Sequence, residues 1–256
     1  MNETKQDTTQ TTDATAARKR PDRKTLGILQ AGRSPEELID RYPDYDRLFV
    51  DMLGKQSFNY RTWAVLDNEF PKSLDEADAW LITGSRHGAY EEHDWIPPLE
   101  SLIREIYAKG VPLVGICFGH QIIAQAMGGK VEKFNGGWSV GRVEYTLDNQ
   151  VWGKSCDTAT PLMAFHQDQV VKLPEGAVNV GSTSFCEHAA LLYDSRILTI
   201  QPHPEFDDAF VGGLLKARGS ILPDDVLKSA NANLHEPLHR DSIADTLRTF
   251  LNSTPT

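Results

Sequence analysis

The chain has 256 residues, of which 40% are hydrophobic and 24% are charged; this allows one substantial core or at most two small ones and is typical of a globular protein. Its formal net charge is −10, and because the first 24 residues hold six basic and four acidic side chains, the remainder carries −12, which argues against nucleic acid as the main partner. It has no run of 18 apolar residues and no apolar leader, so we expect neither a membrane span nor a secretory signal.

The first half of the chain alternates predicted strands with predicted helices. Residues 1–24 show no apolar periodicity, so we expect a disordered tail there and one folded domain over residues 25–256. The alternation implies parallel strands joined by crossover helices, that is, an α/β fold with a doubly wound, mostly parallel central sheet flanked by helices. The ligand site of such a sheet lies beyond the carboxyl ends of its strands. The predicted strands are residues 25–30, 60–66, 78–83 and 111–116, and the predicted helices begin at Ser34-Pro35 and cover residues 46–53 and 95–108.

The most informative stretch is the apolar strand over residues 111–116, which ends at Cys117 and is followed by helical spacing. Gly115 and Gly119 flank the cysteine and give the pattern G-x-C-x-G, which has the layout of a nucleophile elbow. The glycines suit a strained turn without room for Cβ atoms, and the N-terminus of the helix favours the thiolate form of the cysteine. The alternative is an ordinary strand-loop-helix junction with a buried structural cysteine.

The second half of the chain is rich in short strands. Alternating stretches between residues 130 and 185 predict a largely antiparallel β section added to the parallel sheet. Asp194-Ser195 separates two apolar runs, residues 189–193 and 197–201, and predicts a hairpin. Three closing helices are predicted over residues 207–218, 222–233 and 242–251.

A second chemical signal follows the apolar strand that ends at residue 201. The sequence Q-P-H-P-E-F places His203 and Glu205 two positions apart, with prolines that stiffen the turn. A cysteine nucleophile needs a base to accept its proton, and the base needs an acceptor that fixes its tautomer. His203 and Glu205 are the residue types for these two roles. The alternative is a proline-rich turn whose histidine only caps a strand.

The remaining cysteines and histidines give weaker signals. Besides Cys117, the chain has Cys156 and Cys186 and no C-x-x-C pair; this argues against a disulfide framework or structural zinc and predicts a reducing, cytoplasmic setting. Residues 235–239 match H-E-x-x-H, but Pro237 disfavours the continuous helix that such a zinc site needs. We therefore expect no metal, and because the chain has no P-loop pattern we expect no nucleotide cofactor.

Together, G-I-C-F-G-H-Q at residues 115–121 and H-P-E at residues 203–205 resemble the class I glutamine amidotransferase family, over roughly residues 25–206. The resemblance implies a flavodoxin-like fold and a catalytic triad with Cys117 as nucleophile, His203 as base and Glu205 as orienting acid. It also implies an oxyanion hole formed by the backbone N–H groups of Gly84 and Phe118. The substrate-binding residues that it implies are Ser85, Gln121 and the F-H-Q-D residues His166, Gln167 and Asp168, with Gln167 in place of the family's usual glycine.

The function implied by the resemblance is hydrolysis of a γ-glutamyl amide through a cysteine thioester, which releases glutamate and an amine or ammonia. The stretch T-G-S-R-H-G-A-Y at residues 83–90 is similar to that of small, stand-alone GMP-synthase-like members and of γ-glutamyl peptidases. Larger members carry a synthetase domain, for which the residues after Glu205 leave no room. Two alternatives stay open: a glutaminase subunit feeding ammonia to a separate synthase chain, and a non-catalytic binding or regulatory subunit. A small γ-glutamyl substrate and no cofactor are expected, and homo-oligomerisation is left open.

Overall fold

The computed structural model describes residues 23–153 and 159–253, and in these ranges it contains eleven strands and eight α-helices. The strands are β1 (Thr25–Leu29), β2 (Asn59–Trp63), β3 (Ala79–Ile82), β4 (Leu113–Ile116), β5 (Lys130–Lys133), β6 (Ser139–Leu147), β7 (Thr160–His166), β8 (Asp168–Lys172), β9 (Ala177–Ser182), β10 (Ala190–Tyr193) and β11 (Ile197–Ile200). The helices are α1 (Glu36–Ile39), α2 (Tyr45–Leu53), α3 (Ile96–Lys109), α4 (Phe118–Ala126), α5 (Asn149–Trp152), α6 (Asp208–Arg218), α7 (Asp224–Ala232) and α8 (Arg240–Leu251).

Nine strands form one sheet in the order β2-β1-β3-β4-β11-β10-β9-β6-β7. The strands from β2 to β11 pair in parallel, and those from β11 to β7 pair antiparallel. The predicted α/β fold is therefore confirmed, and the antiparallel section continues the central sheet instead of forming a separate layer. β5 and β8 form a small second sheet.

The order of the central strands determines where the site lies. β4 is flanked by β3 and β11, with Ile82 in register with Gly115 and Ile200 in register with Ile116. The Cys117 N–H donates to the carbonyl of Ile200. Because parallel strands end at the same edge, the segments that follow β3, β4 and β11 must meet there.

The central parallel strands β1, β3, β4 and β11 are buried on both faces, whereas the edge strand β2 is largely exposed. Leu81 and Val114 pack with residues of α2 and α8 on one face, whereas Trp80 and Leu113 pack with residues of α3 and α4 on the other. Helices thus cover both sides, which is why these strands are apolar throughout instead of alternating with polar residues. The helices close the core and leave the carboxyl edge of the strands for the site.

Most predicted elements are present within a few residues of their expected bounds. The hairpin at Asp194-Ser195 is confirmed: Tyr193 lies opposite Ile197, and Asp194 and Ser195 in the tight turn between them have positive φ, 45° and 57°. The strand predicted over residues 60–66 ends at Trp63, and a short 3-10 helix follows it. Ser34 does not cap the next helix, since its hydroxyl donates to the carbonyl of Pro43. The tail predicted over residues 1–24 lies almost wholly outside the described residues. None of the helices in the described ranges is long and apolar enough to cross a membrane.

Candidate active site

The turn between β4 and α4 holds Cys117 in a strained conformation. Its φ of 53° and ψ of −102° lie where side-chain-bearing residues are seldom found. A Cβ atom on Gly115 would lie 2.6 Å from the carbonyl group of Gly119, and one on Gly119 would lie 2.4 Å from the carbonyl oxygen of Ile82. Both glycines of the G-x-C-x-G pattern are therefore required by close backbone packing, as in a nucleophile elbow.

His203 and Glu205 lie in the turn that follows β11. His203 Nδ1 lies 2.7 Å from Glu205 Oε1, and both side chains are buried. The His203 ring also lies close to Cys117, since both side chains approach the backbone of Gly84. Phe206 stacks on the imidazole at a centroid distance of 4.0 Å and an interplanar angle of 2°. The structure thus brings together the three side chains that were predicted to act as nucleophile, base and acid, with His203 between Cys117 and Glu205.

The turn that carries His203 and Glu205 is held in place by Arg240, a residue that was not predicted from the sequence to belong to the site. The Arg240 guanidinium, at the start of α8, donates to the carbonyl oxygens of Pro204 and Glu205, both at 2.9 Å. The His203 N–H donates to the carbonyl of Met163 in β7 at 2.7 Å. The base and its acid are therefore anchored by backbone contacts on two sides, which restricts their motion relative to Cys117.

The electrostatics of the site favour a charged imidazole. Burial alone would lower the pKa of His203, but the negative charges of Cys117 and Glu205 and the hydrogen bonds with them outweigh it and raise that pKa to about 10. An imidazole with a buried negative partner on each side keeps its proton because the charged form is paired in a medium of low dielectric constant. The resting site is thus arranged to hold a protonated His203 imidazole.

We expect this arrangement to appear as a pH dependence of stability. The usual pKa of histidine is about 6.5, so the stabilisation from charged His203 should be complete below that pH and lost as the pH rises toward about 10. Glu205→Gln removes the carboxylate partner and should lower the pKa of His203, so that the loss still begins near pH 6.5 but is smaller and ends at a lower pH. NMR titration of the His203 ring, with unfolding midpoints measured from pH 6 to 10, tests both statements.

Glu187→Gln is the matched control for this titration, because it removes a carboxylate from the exposed Glu187 side chain, outside the cavity and the triad. It should leave the His203 titration unchanged. A His203 pKa below 7 in the unmodified protein, or one that Glu205→Gln and Glu187→Gln alter equally, would contradict the assignment.

Two backbone N–H groups point to a place for a developing oxyanion. Within the described ranges, the N–H groups of Gly84 and Phe118 donate to no other protein group. Phe118 begins α4, where N–H groups lack helical acceptors, and Gly84 follows β3. A Cβ atom on Gly84 would lie 2.9 Å from His203 Cε1 and 3.8 Å from Cys117 Cβ. The Gly84 backbone therefore lies directly against the cysteine and the histidine.

A cavity of about 240 Å³ opens beside Cys117 and His203. The five residues predicted to bind substrate all line it: Ser85, Gln121, His166, Gln167 and Asp168. Gln121 donates from Nε2 to the carbonyl of Asp168 at 2.9 Å and to Gln201 Oε1 at 3.0 Å. These contacts fix the Gln121 amide on the cavity wall.

Burial is the main cause of the pKa shifts of the titratable groups on the cavity wall. Burial lowers the pKa of His166 to about 4, so that imidazole is neutral at physiological pH. Burial also raises the pKa of the Asp168 carboxyl, against a hydrogen bond from the Tyr90 hydroxyl, which lies 3.2 Å away. The cavity therefore offers a neutral imidazole and an acidic group on the same side.

Several wall residues were not predicted from the sequence. Three basic side chains line the cavity, Arg86, Lys133 and Arg218. Arg86 directly follows Gly84-Ser85, so its position could have been inferred from the motif. Lys133 and Arg218 come from β5 and the end of α6, and no pattern in the sequence links those elements to the site. With the acidic Glu91 and Asp168, they give the cavity groups of both signs for a zwitterionic ligand.

Other features lie apart from this chemistry. Residues 235–239 form a turn and coil before α8, so the helical setting of an H-E-x-x-H zinc site is absent from this segment. His120 is buried, with Nδ1 2.8 Å from Thr199 Oγ1, and does not line the cavity. Cys186 is a buried core residue. Cys156 lies outside the described residues.

Comparison with known proteins agrees with this geometry. The family model for class-I glutamine amidotransferases matches residues 37–209. The chain belongs to the class-I glutamine amidotransferase family. Among its relatives, γ-glutamyl peptidase 4 of Arabidopsis thaliana is 33% identical over 174 residues, which are 65% of this chain and 69% of that protein. A GMP synthase of Clostridium acetobutylicum is 34% identical over 132 residues, which are 50% of this chain but only 24% of the synthase.

Solved structures of this family share the fold. A glutamine amidotransferase from Thermotoga maritima superposes with a TM-score of 0.71 at 19% identity, covering 90% of this chain and 99% of that one. A second, from Methylobacillus flagellatus, superposes with a TM-score of 0.70 at 18% identity, covering 90% and 94% of the two chains. At this identity the likeness concerns the fold alone.

Proposed function

We propose that this amidotransferase-family protein hydrolyses a γ-glutamyl amide bond through a thioester on Cys117. The observation that carries the proposal is the buried line of contacts from Cys117 to His203 and from His203 to Glu205, at the edge of a cavity. A thiolate beside an imidazolium is the active form of a cysteine nucleophile.

In the first step, the Cys117 sulfur attacks the γ-carbonyl carbon and the carbonyl oxygen becomes an oxyanion. The unpaired N–H groups of Gly84 and Phe118 are suited to donate to that oxyanion, which exists only in the tetrahedral intermediate. When the C–N bond breaks, His203 gives its proton to the departing nitrogen, and a γ-glutamyl thioester remains on Cys117.

In the second step, water attacks the thioester carbonyl. His203 is now neutral and accepts a proton from that water, and the C–S bond breaks to release glutamate and restore the thiolate and imidazolium. Glu205 holds the same His203 nitrogen in both steps, so it fixes the ring orientation and stabilises its charged form. Substrate and this one water molecule are the only reactants that the two steps consume.

The α-amino and α-carboxylate groups of a γ-glutamyl substrate fit the mixed charge of the cavity. We propose that Asp168 faces the ammonium group, and that Arg86, Lys133 and Arg218 attract the carboxylate, since all four line the cavity. Ser85, Gln121, His166 and Gln167 complete the wall around the glutamyl chain. This charge pattern favours a free γ-glutamyl head group over an internal residue of a protein.

The alternative that a specific observation favours is a glutaminase subunit serving a separate synthase. The similarity to a GMP synthase covers only 24% of that enzyme, so a partner chain would have to use the ammonia. The γ-glutamyl peptidase relatives favour a self-sufficient hydrolase instead. A non-catalytic binding subunit of the same fold is the third reading.

The test is glutamate release by the purified protein alone, from glutamine and from a panel of γ-glutamyl amines and dipeptides, with α-glutamyl dipeptides as controls. We expect turnover of at least one substituted γ-glutamyl compound well above that of glutamine, and none of the α-linked controls. Turnover of glutamine alone would favour the ammonia-supplying subunit. Absence of any turnover, together with an unreactive Cys117, would favour the binding subunit.

A further inference from the structure

The loop between β3 and α3 brings two imidazoles and a carboxylate together outside the triad. One ligand atom from each of His87, Glu91 and His93 lies within 4.8 Å of the other two. Glu91 Oε2 is 3.2 Å from His87 Nδ1 and 2.8 Å from His93 Nε2. The two imidazole rings meet edge to face, with centroids 4.3 Å apart. The same carboxylate oxygen of Glu91 thus lies within hydrogen-bond distance of one nitrogen of each imidazole ring.

These separations suit direct coordination of a small cation. Ligand atoms about 2.1 Å from a tetrahedral zinc ion lie about 3.4 Å from one another. The 3.2 Å separation of Glu91 Oε2 and His87 Nδ1 is close to this value, and the 2.8 Å separation of Glu91 Oε2 and His93 Nε2 would widen on binding. We propose that His87, Glu91 and His93 bind a divalent first-row transition-metal ion, with Zn²⁺ as the natural occupant. Two imidazoles and one carboxylate form a ligand set that zinc accepts while keeping a fourth position exchangeable.

The loop is built to hold these side chains in place. The Glu91 N–H donates to the carbonyl of Gly88, and the Gln125 side chain of α4 donates to the carbonyl of the buried Ala89 at 2.7 Å. The His93 ring stacks on Trp95, which in turn packs against Phe118. The ligands are therefore pre-positioned on a fixed loop, which lowers the entropy cost of binding a metal.

The cluster also adjoins the active-site cavity. His87 and Glu91 line that cavity, and the His87 N–H donates to the Ser85 hydroxyl. Arg86, close to His87, opposes a cation, whereas Asp168 and Glu91 attract one. A bound ion would add positive charge at the mouth of the cavity and restrict the motion of the loop that begins at Gly84. The proposal stands independently of the hydrolytic function.

The experiment is titration of tag-free protein with Co²⁺, followed by absorption spectroscopy, and with Zn²⁺, followed by calorimetry. Cys117→Ala is used as the background, since the thiolate of the triad can itself bind these ions. We expect one Co²⁺ per chain, with visible bands of a tetrahedral nitrogen and oxygen site and no thiolate-to-cobalt charge-transfer band. Zn²⁺ should displace the Co²⁺ at one equivalent.

Variants of the cluster decide whether the metal lies there. Loss of an outer-shell partner alone commonly weakens metal affinity by about 10–100-fold, so His93→Ala and the isosteric Glu91→Gln should each weaken Co²⁺ binding by at least about 100-fold. His235→Ala is the control, because His235 also pairs with a carboxylate, at 2.7 Å from Asp208, but lies elsewhere and is exposed. Binding that persists in both cluster variants, or no Co²⁺ binding at all, would overturn the proposal.

Discussion

Replacing Cys117 with alanine is expected to abolish γ-glutamyl hydrolysis, with a loss of at least about 10⁴-fold in kcat. The alanine has no atom that can form the thioester, and the oxyanion donors at Gly84 and Phe118 cannot substitute for a nucleophile. The fold should persist, because the backbone hydrogen bonds of Cys117, from its N–H to Ile200 and from the Gln121 N–H to its carbonyl, do not involve the side chain. Glutamate release from the best γ-glutamyl substrate, with thermal unfolding as the measure of folding, tests this.

Cys186→Ala is the matched control for Cys117→Ala. Cys186 is also buried, in the same apolar cluster as Cys117, and it does not line the cavity. Burial raises the pKa of its thiol to about 12, so it is not available as a thiolate nucleophile. The variant should keep most of the activity per folded molecule. Activity retained in Cys117→Ala would rule out the proposed mechanism. Equal losses of activity in Cys117→Ala and Cys186→Ala would indicate a structural role for the thiols.

Gly119→Ala is expected to destabilise the fold by about 3 kcal/mol or more, although glycine to alanine inside a helix normally stabilises by about 1 kcal/mol. The new Cβ atom would lie 2.4 Å from the carbonyl oxygen of Ile82, which is backbone and cannot move aside cheaply. The strain would push α4 away from β3 and misplace Cys117. A lowering of Tm by roughly 6–12 °C is expected, with loss of activity even in the folded fraction.

Gly212→Ala provides the comparison. Gly212 is also inside a helix, α6, but its added Cβ would meet only the flexible tip of Leu234, at 3.2 Å. It should be close to neutral or slightly stabilising in thermal unfolding. If Gly119→Ala and Gly212→Ala shift the unfolding midpoint alike, then close packing of the elbow against β3 is not what requires glycine at residue 119.

The parts of the fold that could be predicted from the sequence are those controlled by local rules. Apolar runs between helical spacings predicted β1, β3 and β4, and the glycines around Cys117 predicted a tight turn, because both signals lie within a few residues. The rule that ligand sites lie at the carboxyl edge of parallel strands placed Gly84 and Cys117 at that edge. The order of the strands in the sheet was not predicted, and His203 was placed only at the end of a strand.

What the sequence could not predict depends on contacts between distant segments. Arg240 reaches the carbonyls of Pro204 and Glu205 from a helix more than thirty positions away, and Arg218 lines the cavity from the end of α6. Neither Arg240 nor Arg218 belongs to a recognisable sequence motif, because only the packing of the closing helices brings these side chains to the site. The expectation of no metal site rested on known motifs and stays a prediction. The site proposed at His87, Glu91 and His93 depends on the shape of their loop, which no sequence motif describes.

The central claim is that Cys117 forms a covalent γ-glutamyl intermediate. It is tested most directly by treating the protein with a thiol-reactive glutamine analogue, followed by intact-mass measurement and peptide mapping. The account predicts one adduct per chain, on Cys117, slowed by an excess of γ-glutamyl substrate and absent in Cys117→Ala, while Cys186 stays unmodified. Labelling of other cysteines at the same rate, or labelling of Cys117 that substrate does not slow, would contradict it.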